Sequence, residues 1–368
     1  MRAVLFSGTS GEVEVADVDL DGPGPGEVRV KIAATGVCHS DLHIIRNEWP
    51  LPVPMVLGHE GSGVVTELGS GVTDLEIGDH VVLSWVAPCN ECRYCKSGHE
   101  ARCTVAMTLV APHGVLHDGT SRLRRDGEKI YHYQGVSSFA DEVVVPASGA
   151  IRVRKDAPLD VICLIGCAIA TGVGAVTNTA RVEKGATVAV IGCGGVGLSV
   201  VQGARMAGAG RIVAIDVQPQ KTTLALTLGA TDAIDASQTD PVSALRELIS
   251  DGVDYAFDAI GKIETTEQAI AMLGLGGAAV VVGLPKAGAT ASFEPLALAE
   301  ADQRILGSNY GSVRPAIDFP VLVEKYMTGE LKIDELVSAR RPLSEAAEAL
   351  AELATGASLR TLLIPDQH

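Results

Sequence analysis

Residues 186–216, ATVAVIGCGGVGLSVVQGARMAGAGRIVAID, decide how the second part of the chain folds. An apolar run ends in a cluster of glycines, a segment with helical periodicity follows, and a second apolar run begins at Arg211. Strand-like and helix-like segments continue to alternate as far as residue 284. Strands separated by helices of about ten or more residues pair in parallel, so this region is predicted to form a doubly wound α/β sheet of the Rossmann type.

The glycines of this stretch have the spacing G-x-G-x-x-G and stand between a predicted strand and a predicted helix. The first glycine permits a tight turn, the second lets the backbone approach a pyrophosphate, and the third lets helix and strand pack closely. This predicts a dinucleotide site, while a tight turn without a ligand is the alternative. The loop residues assigned to the site are Gly192, Gly194, Gly195, Val196 and Gly197.

Asp216 ends the next predicted strand, 19 residues after Gly197. A carboxylate at this position accepts hydrogen bonds from both hydroxyls of an adenosine ribose and repels the 2′-phosphate of NADP. The sequence therefore predicts NAD as the cofactor, unless Asp216 is only a solvated strand end.

The first part of the chain, as far as about residue 156, consists of short alternating runs such as EVRVKIAATGV and ADEVVVP, separated by Gly and Pro. This pattern predicts a mostly antiparallel, partly open β-barrel. The last segment has two helical stretches and the strand-like RTLLIP, and is expected to return to this barrel. The predicted domains are residues 1–168 with 311–368, and residues 169–310.

Composition and charge exclude several classes of protein. A length of 368 residues with a 47% hydrophobic fraction suits two globular domains. The net charge of −16 argues against nucleic-acid binding. The sequence has neither a run of about 18 apolar residues nor a signal-peptide core, so no membrane association and a cytoplasmic location are expected.

Four of the eight cysteines follow the pattern Cys89-x2-Cys92-x2-Cys95-x7-Cys103. Four thiolates on one short loop match a closed, structural zinc site, which stabilises the loop and leaves no position for a substrate. An iron–sulfur or redox cluster and unligated thiols are the alternatives. Disulfides are disfavoured because no secretion signal is present.

Cys38, His59 and Cys167 form a second set of candidate metal ligands, widely separated in the sequence. Two cysteines and one histidine leave the fourth position of a zinc ion open for water or a substrate oxygen, as a Lewis-acid site requires. Any one of them alone would more often be a buried cysteine or a hydrogen-bonded histidine.

The motifs GVCHSDLH, GHEGSGVV, LIGCAIATG and GCGGVG occur together with the four-cysteine lobe. Their order resembles that of the zinc-containing medium-chain alcohol dehydrogenases over essentially the full length of the chain. The two-cysteine, one-histidine zinc site is that of this same family. The resemblance implies a GroES-like catalytic domain, a Rossmann NAD-binding domain and two zinc ions per chain.

The resemblance also implies a reversible hydride transfer between a primary alcohol or aldehyde and NAD. Ser40 and His43 would carry the hydroxyl proton away from the zinc, with a turn serine and a polar loop histidine as the alternatives. Asp41 and Glu60 would orient the metal ligands.

Three further cofactor contacts are implied in the same way. Lys221 would lie at the adenosine ribose and Arg360 at the pyrophosphate, although either could be a surface residue. His39 stands where many relatives have a pyrophosphate-binding arginine, and a neutral imidazole there would loosen the cofactor and make its binding depend on pH.

Trp49 and Trp85 occupy positions that line the substrate cleft in similar enzymes, with core packing as the alternative. Two rings near the zinc favour primary alcohols and unbranched or planar aldehydes.

The glutathione-dependent formaldehyde dehydrogenases are disfavoured because Met107 stands where their carboxylate-binding arginine is expected. Mycothiol-linked formaldehyde dehydrogenases and nicotinoprotein alcohol dehydrogenases remain alternatives.

Two other classes compete with this enzyme: an NAD-binding scaffold whose zinc is only structural, and a metal-free quinone or enoyl reductase. Neither requires Cys38, His59 and Cys167 together.

A homodimer is expected because the long segment between Cys103 and Phe139 resembles the loop of dimeric members, with a tetramer as the alternative.

Overall fold

The computed structural model describes residues 1–8, 12–356 and 358–366. The chain divides into two compact units: the barrel unit, Met1–Cys167 with Arg314–His368, and the Rossmann unit, Ala168–Val313. The structure divides the chain after residues 167 and 313, whereas the sequence analysis placed the domain boundaries after residues 168 and 310. The function assigned to each domain stays a prediction.

The described residues of the Rossmann unit form a parallel sheet of six strands. Its first strand, Thr187–Ile191, lies in the middle, where the strand order reverses and where such folds bind ligands. Four of its five residues are buried, as expected for a strand with helices on both faces. In sheet order the strands are Asp232–Asp235, Arg211–Asp216, Thr187–Ile191, Val253–Asp258, Leu273–Val281 and Arg304–Gly307.

The helices of the Rossmann unit begin where the sequence changes from alternating to helical periodicity. The first helix after the glycine loop ends at Gly208, which has a left-handed conformation. The α-helices are Ala168–Gly174, Gly195–Ala207, Pro219–Leu228, Pro241–Leu248, Ile263–Ala271 and Pro295–Glu300; Ala175–Ala180 is a π-helix, and Asn309–Ser312 is a kinked 3₁₀ segment.

In the described part of the barrel unit, the strands form a six-stranded and a seven-stranded sheet with mostly antiparallel pairing. The predicted barrel-plus-Rossmann fold class is therefore confirmed. The strands are Arg2–Phe6, Val13–Asp17, Asp19–Leu20, Glu27–Gly36, Met55–Val56, Gly61–Leu68, His80–Leu83, Leu123–Arg125, Glu128–His132, Glu142–Pro146, Ala150–Val153, Val337–Pro342 and Arg360–Ile364.

The end of the chain adds a strand beside the longest strand of the barrel unit. Arg360–Ile364 pairs with Glu27–Gly36, with Leu363 opposite Thr35. The last segment thus returns to the barrel unit, where it pairs with the end of the strand that precedes Cys38. The α-helices of this unit are His39–Ile45, Arg93–Lys96, Ala111–His113, Leu159–Ile162, Pro315–Met327 and Ala346–Ala354; Ala106–Val110 is a π-helix, and Glu100–Arg102, Ala147–Gly149, Cys163–Gly166, Asp334–Leu336 and Leu343–Glu345 are 3₁₀ segments.

Among the described residues, no single helix has both the length and the apolar character needed to cross a membrane. One bent pair of helical segments, Leu159–Gly166 with Ala168–Ala180, meets the length and composition criteria. Most residues of this pair are buried inside the protein.

Candidate active site

Cys38, His59 and Cys167, termed the three-ligand cluster, come together inside the barrel unit. One ligand atom from each side chain lies within 4.8 Å of the others. The three residues are buried, with 5%, 2% and 8% of their surface exposed. Two thiols and an imidazole are donors that suit Zn²⁺, and they leave one of four tetrahedral positions open.

The ends of two secondary-structure elements position the cysteines of this cluster. Cys38 follows the strand Glu27–Gly36 and is the N-cap residue of the helix His39–Ile45. Asp41 fixes this turn because its Oδ2 accepts a hydrogen bond of 3.0 Å from the Cys38 backbone N–H. Cys167 directly follows a buried 3₁₀ segment, so both thiols are held by ordered backbone.

His59 is held by a turn in which Gly58 has φ of +88°. A Cβ at Gly58 would lie 2.3 Å from the Phe139 ring, so only glycine fits. Asp41 Oδ1 accepts from the Gly58 N–H at 3.3 Å and lies 3.4 Å from His59 Nδ1. His59 Nε2 is buried and has no hydrogen-bond partner in the described part of the chain, which fits a metal-binding atom.

The charges around the three-ligand cluster set its protonation. Burial opposes the charged form of His59, but Asp41 and Cys38 raise the pKa of His59 to about 10. The Cys167 thiol donates to Cys38, which lowers the pKa of Cys38 well below its usual range and raises that of Cys167 well above it. A metal ion bound here must therefore displace protons from His59 and Cys167 at neutral pH.

Glu60 and Arg360 form a buried ion pair next to the same cluster. The Arg360 Nη1 atom is 3.7 Å from Glu60 Oε2 and donates to the Val37 carbonyl at 3.0 Å. Burial opposes the charge of Arg360, but Glu60 and the Cys38 thiol raise the pKa of this guanidinium above its ordinary value. Arg360 is only 3% exposed, so it is not a surface residue; its contact with a pyrophosphate stays a prediction.

Ser40 and His43, the two predicted relay residues, lie one turn apart on the helix His39–Ile45, termed the relay helix. Ser40 Oγ is 3.7 Å from Cys38 Sγ, so the hydroxyl is next to a candidate metal ligand. The His43 side chain is 22% exposed, and His39, at the start of the helix, is exposed. The helix thus connects the buried cluster with a solvent-accessible imidazole.

The two tryptophans have different surroundings. The Trp49 ring stacks on the His43 imidazole, with ring centroids 4.2 Å apart and an interplanar angle of 19°. Trp85 is half-buried and packs against the core of the barrel unit. The structure therefore brings Trp49 to the relay helix, and the lining of a substrate cleft by either ring stays a prediction.

Two residues near the cluster were not predicted from the sequence, Tyr133 and Glu48. The Tyr133 hydroxyl donates to the Ser40 carbonyl at 3.1 Å, and the Tyr133 ring meets His59 edge-on at 5.2 Å. Burial and the charge of Asp41 raise the pKa of Tyr133 well above its usual value, so the phenol stays a donor. No local motif marks Tyr133, because it lies 93 positions from Ser40 in the sequence.

Glu48 was missed for a different reason. Its carboxylate hydrogen-bonds Nδ1 of His43, five positions earlier. A helical pattern does not bring residues at this separation together, and the contact depends on the turn that ends the helix.

Cys89, Cys92, Cys95 and Cys103, termed the four-cysteine cluster, also have ligand atoms within 4.8 Å of one another. Backbone N–H groups support the thiols: the N–H of Cys89 is 3.3 Å from Cys103 Sγ, and the N–H of Cys92 is 3.4 Å from Cys89 Sγ. Backbone donors at Cys95 and Thr104 lower the pKa of Cys92 to about 5. All eight cysteines are free of disulfides, and this set of four fits a closed zinc site.

The glycine loop of the Rossmann unit has the geometry expected for each position of its motif. Gly192 has φ of +92° and forms the turn. A Cβ at Gly197 would lie 1.7 Å from the Gly192 carbonyl oxygen, so this glycine is needed for helix–strand packing. A Cβ at Gly194 would meet nothing within 4 Å, and Gly194 and Val196 are partly accessible. Open space before a helix N-terminus fits a bound phosphate group.

Asp216 stands at the end of the second strand, beside this loop. Its carboxylate accepts hydrogen bonds from the backbone N–H groups of Cys193 at 2.7 Å and Gln218 at 2.9 Å. A carboxylate offers about four acceptor positions, so positions remain for a ribose. Lys221 lies half-buried in the next helix, Pro219–Leu228. The ribose contacts of both residues stay predictions.

Two family models match the chain. Residues 24–155 match the alcohol dehydrogenase GroES-like domain, and residues 195–326 match the zinc-binding dehydrogenase domain. The two models thus cover Cys38 and His59 of the three-ligand cluster, the whole four-cysteine cluster and most of the Rossmann unit.

Individual relatives extend this similarity to nearly the whole chain. An S-(hydroxymethyl)glutathione dehydrogenase from Synechocystis is 38% identical over 98% of this chain and 99% of the relative. Alcohol dehydrogenase class-3 from Drosophila melanogaster is 39% identical over 95% of this chain and 93% of its own length. The crystal structure of benzyl alcohol dehydrogenase from Acinetobacter calcoaceticus is 34% identical, with a TM-score of 0.94 over 99% of both chains.

Proposed function

Because the chain belongs to the zinc-dependent medium-chain alcohol dehydrogenase family, we propose that it catalyses reversible hydride transfer between a primary hydroxyl group and NAD. The observation that carries the proposal is the three-ligand cluster beside the helix of Ser40 and His43. Among the described residues, no fourth cysteine, histidine or carboxylate joins this group of ligand atoms. That favours an open site over a structural one.

The residues of the barrel unit suit the removal of a hydroxyl proton. A zinc ion held by the cluster would act as a Lewis acid on the substrate hydroxyl, and NAD would accept the hydride. Ser40 lies beside Cys38 and would take the proton, and the partly exposed His43 would pass it towards solvent. Asp41 binds both the Cys38 turn and the Gly58–His59 turn, so the ligands and the relay helix are held together.

The four-cysteine cluster would hold a second zinc with a structural role. Only Cys103 of this set is fully buried, so the loop has little core of its own. A zinc ion would stabilise it through metal bonds instead.

NAD is proposed over NADP because of Asp216. Its negative charge at the end of the second strand would repel a 2′-phosphate. Asp216→Ser should lower the NAD/NADP preference measured as the ratio of kcat/KM values. An unchanged ratio would overturn this assignment.

The relatives change the choice of substrate. The sequence favoured simple primary alcohols, whereas the relatives named for S-(hydroxymethyl)glutathione make the thiol adduct of formaldehyde the better candidate. Oxidation of this HO–CH₂–S group would transfer a hydride to NAD and release one proton, leaving a thioester. Met107 is 39% exposed and cannot pair with a carboxylate, so any recognition of the peptide part must use other residues.

A planar primary alcohol such as benzyl alcohol is the second candidate. The benzyl alcohol dehydrogenase structure superposes over nearly the full chain, and the predicted cleft residue Trp49, which stacks on His43, would suit an aromatic substrate. Steady-state kinetics with the zinc-loaded enzyme should compare S-(hydroxymethyl)glutathione, formaldehyde without thiol, and benzyl alcohol. A higher kcat/KM for the glutathione adduct supports the first candidate, and a higher value for benzyl alcohol replaces it with the second.

We also propose that the protein is a cytoplasmic homodimer. Arg304–Gly307 is an edge strand, and Leu275, Leu296 and Ile305 in the same unit are 85%, 62% and 36% exposed. Unpaired strand edges and exposed apolar residues favour self-association. Light scattering should report the mass of two chains, and a monomer or tetramer would overturn the proposal.

A further inference from the structure

The His43 ring is held on two sides by the turn that follows its own helix. Its Nδ1 forms a hydrogen bond with Glu48 Oε2, and its face stacks on Trp49 at 4.2 Å. Neither contact involves a metal ligand. His43 therefore has a carboxylate and an aromatic neighbour that fix the orientation of the imidazole.

The backbone brings Glu48 to this position. The helix ends at Ile45, and Asn47 has a positive φ of 54°, which reverses the chain. The N–H of Glu48 then donates to the His43 carbonyl at 2.8 Å. This backbone turn thus brings the Glu48 carboxylate to the Nδ1 atom of the imidazole.

The chemistry of this pair determines which nitrogen of His43 carries the proton. An ionised carboxylate only accepts hydrogen bonds, so the Nδ1 atom facing it must be the donor. A neutral imidazole with its proton on Nδ1 has its lone pair on Nε2. The contact thereby leaves Nε2 free to accept a proton.

We propose that Glu48 is the positioning residue of the proton relay: it holds His43 in the Nδ1–H tautomer and balances the charge when Nε2 accepts a proton. This inference rests on the proposed relay function of His43. The proton lost by the substrate hydroxyl would form the Nε2–H bond, and the imidazolium would then release a proton to water. The side chains of His43 and Glu48 are 22% and 32% exposed, so water can reach both.

The tautomer can be measured without turnover. ¹⁵N-histidine NMR of the zinc-loaded enzyme, with His43 assigned by loss of its signals in His43→Gln, should show the Nδ1–H form. Glu48→Ala should shift His43 towards the tautomer mixture of free histidine. Glu48→Gln keeps an acceptor oxygen and should retain part of the Nδ1–H population. An unchanged spectrum in Glu48→Ala would overturn the inference.

Kinetics should agree with the spectra. We expect Glu48→Ala to lower kcat about 10- to 100-fold with little change in KM, by analogy with the loss of a carboxylate that orients a metal-binding histidine. Glu48→Gln should lie between Glu48→Ala and wild type. Glu76→Gln, an exposed glutamate of the same unit, is the matched control and should behave as wild type.

A double-mutant cycle separates this inference from the proposed function. If Glu48 acts through His43, Glu48→Ala should have no further effect on kcat in the His43→Gln background. Wild-type turnover by His43→Gln would overturn the relay itself. Impaired His43→Gln with wild-type Glu48→Ala, or additive losses in the double variant, would overturn the role of Glu48 alone. Thermal melting and zinc content, equal to wild type in each variant, verify the fold.

Discussion

The two metal-binding clusters of the barrel unit differ in their surroundings more than in their ligand types. The three-ligand cluster is buried, and the carboxylates of Asp41 and Glu60 and the relay helix lie next to it. The four-cysteine cluster lies on one short loop and is supported by backbone N–H groups. In this protein the open cluster therefore takes its ligands from distant segments, whereas the closed cluster is built within one loop.

The largest effect is expected from Cys167→Ser. Losing one of three ligands should remove one zinc per chain and lower turnover about 1,000-fold or more, since a Lewis acid supplies several kcal/mol of transition-state stabilisation. Zinc analysis and steady-state kinetics measure both changes, and fluorescence titration with NAD should be close to wild type. Two zinc ions and wild-type turnover in this variant would contradict the assignment of the two sites.

The matched change in the other cluster, Cys103→Ser, should act on stability first. Loss of the structural zinc should lower the melting temperature by about 5–10 °C, because metal-binding free energy contributes to folding. Differential scanning calorimetry measures this, and activity should decline only as the loop loosens. A melting temperature equal to wild type with zinc lost would show that the loop does not depend on the metal.

Asp41→Asn should lower the zinc affinity of the three-ligand cluster and leave that of the four-cysteine cluster unchanged. Asp41 lies against His59 and caps the Cys38 turn, and loss of such a carboxylate costs about 10- to 100-fold in metal affinity. Competition with a chelator should therefore release one zinc earlier than in wild type while the second is retained. Equal release of both ions would show that Asp41 has no special relation to the three-ligand cluster.

The smallest expected effect is the dependence of zinc affinity at the three-ligand cluster on pH. Because the pKa of His59 is raised to about 10, His59 is protonated at pH 7 and zinc uptake must displace its proton. Zinc affinity of this site should thus fall as pH is lowered, and the His59 contribution should level off above about pH 10. Calorimetric titration of zinc-depleted protein in buffers of different ionisation enthalpy counts the protons released.

The four-cysteine cluster should also release protons when zinc binds. The pKa of Cys92 is about 5, so this thiol is already ionised at pH 7, but burial raises the pKa of Cys95 and Cys103 above the usual range. Cys103→Ser isolates proton release at the three-ligand cluster, and Asp41→Asn in that background should reduce it. Unchanged proton release would contradict the role of Asp41 in setting the pKa of His59.

The substrate branch is the part of the function on which the sequence interpretation and the relatives differ. The interpretation against glutathione adducts depended on one position, Met107, whereas the full-length relatives favour them. A single side chain is a weak guide because the recognition of a flexible peptide is shared among several contacts. The family, the fold class and the zinc requirement depend on many positions and were confirmed.

The features that were predictable from the sequence are those that depend on short spacing along the chain. The G-x-G-x-x-G loop and the four cysteines are local, so their geometry follows from steric limits and ligand separation along the chain. Only the tertiary structure brought Cys167 to Cys38 and His59, buried Arg360 against Glu60, and placed Tyr133 on His59. It also placed Glu48 on His43, through a turn with a positive φ that no periodicity predicts. These contacts depend on strand pairing, chain reversal and burial, which join residues that the linear order keeps apart.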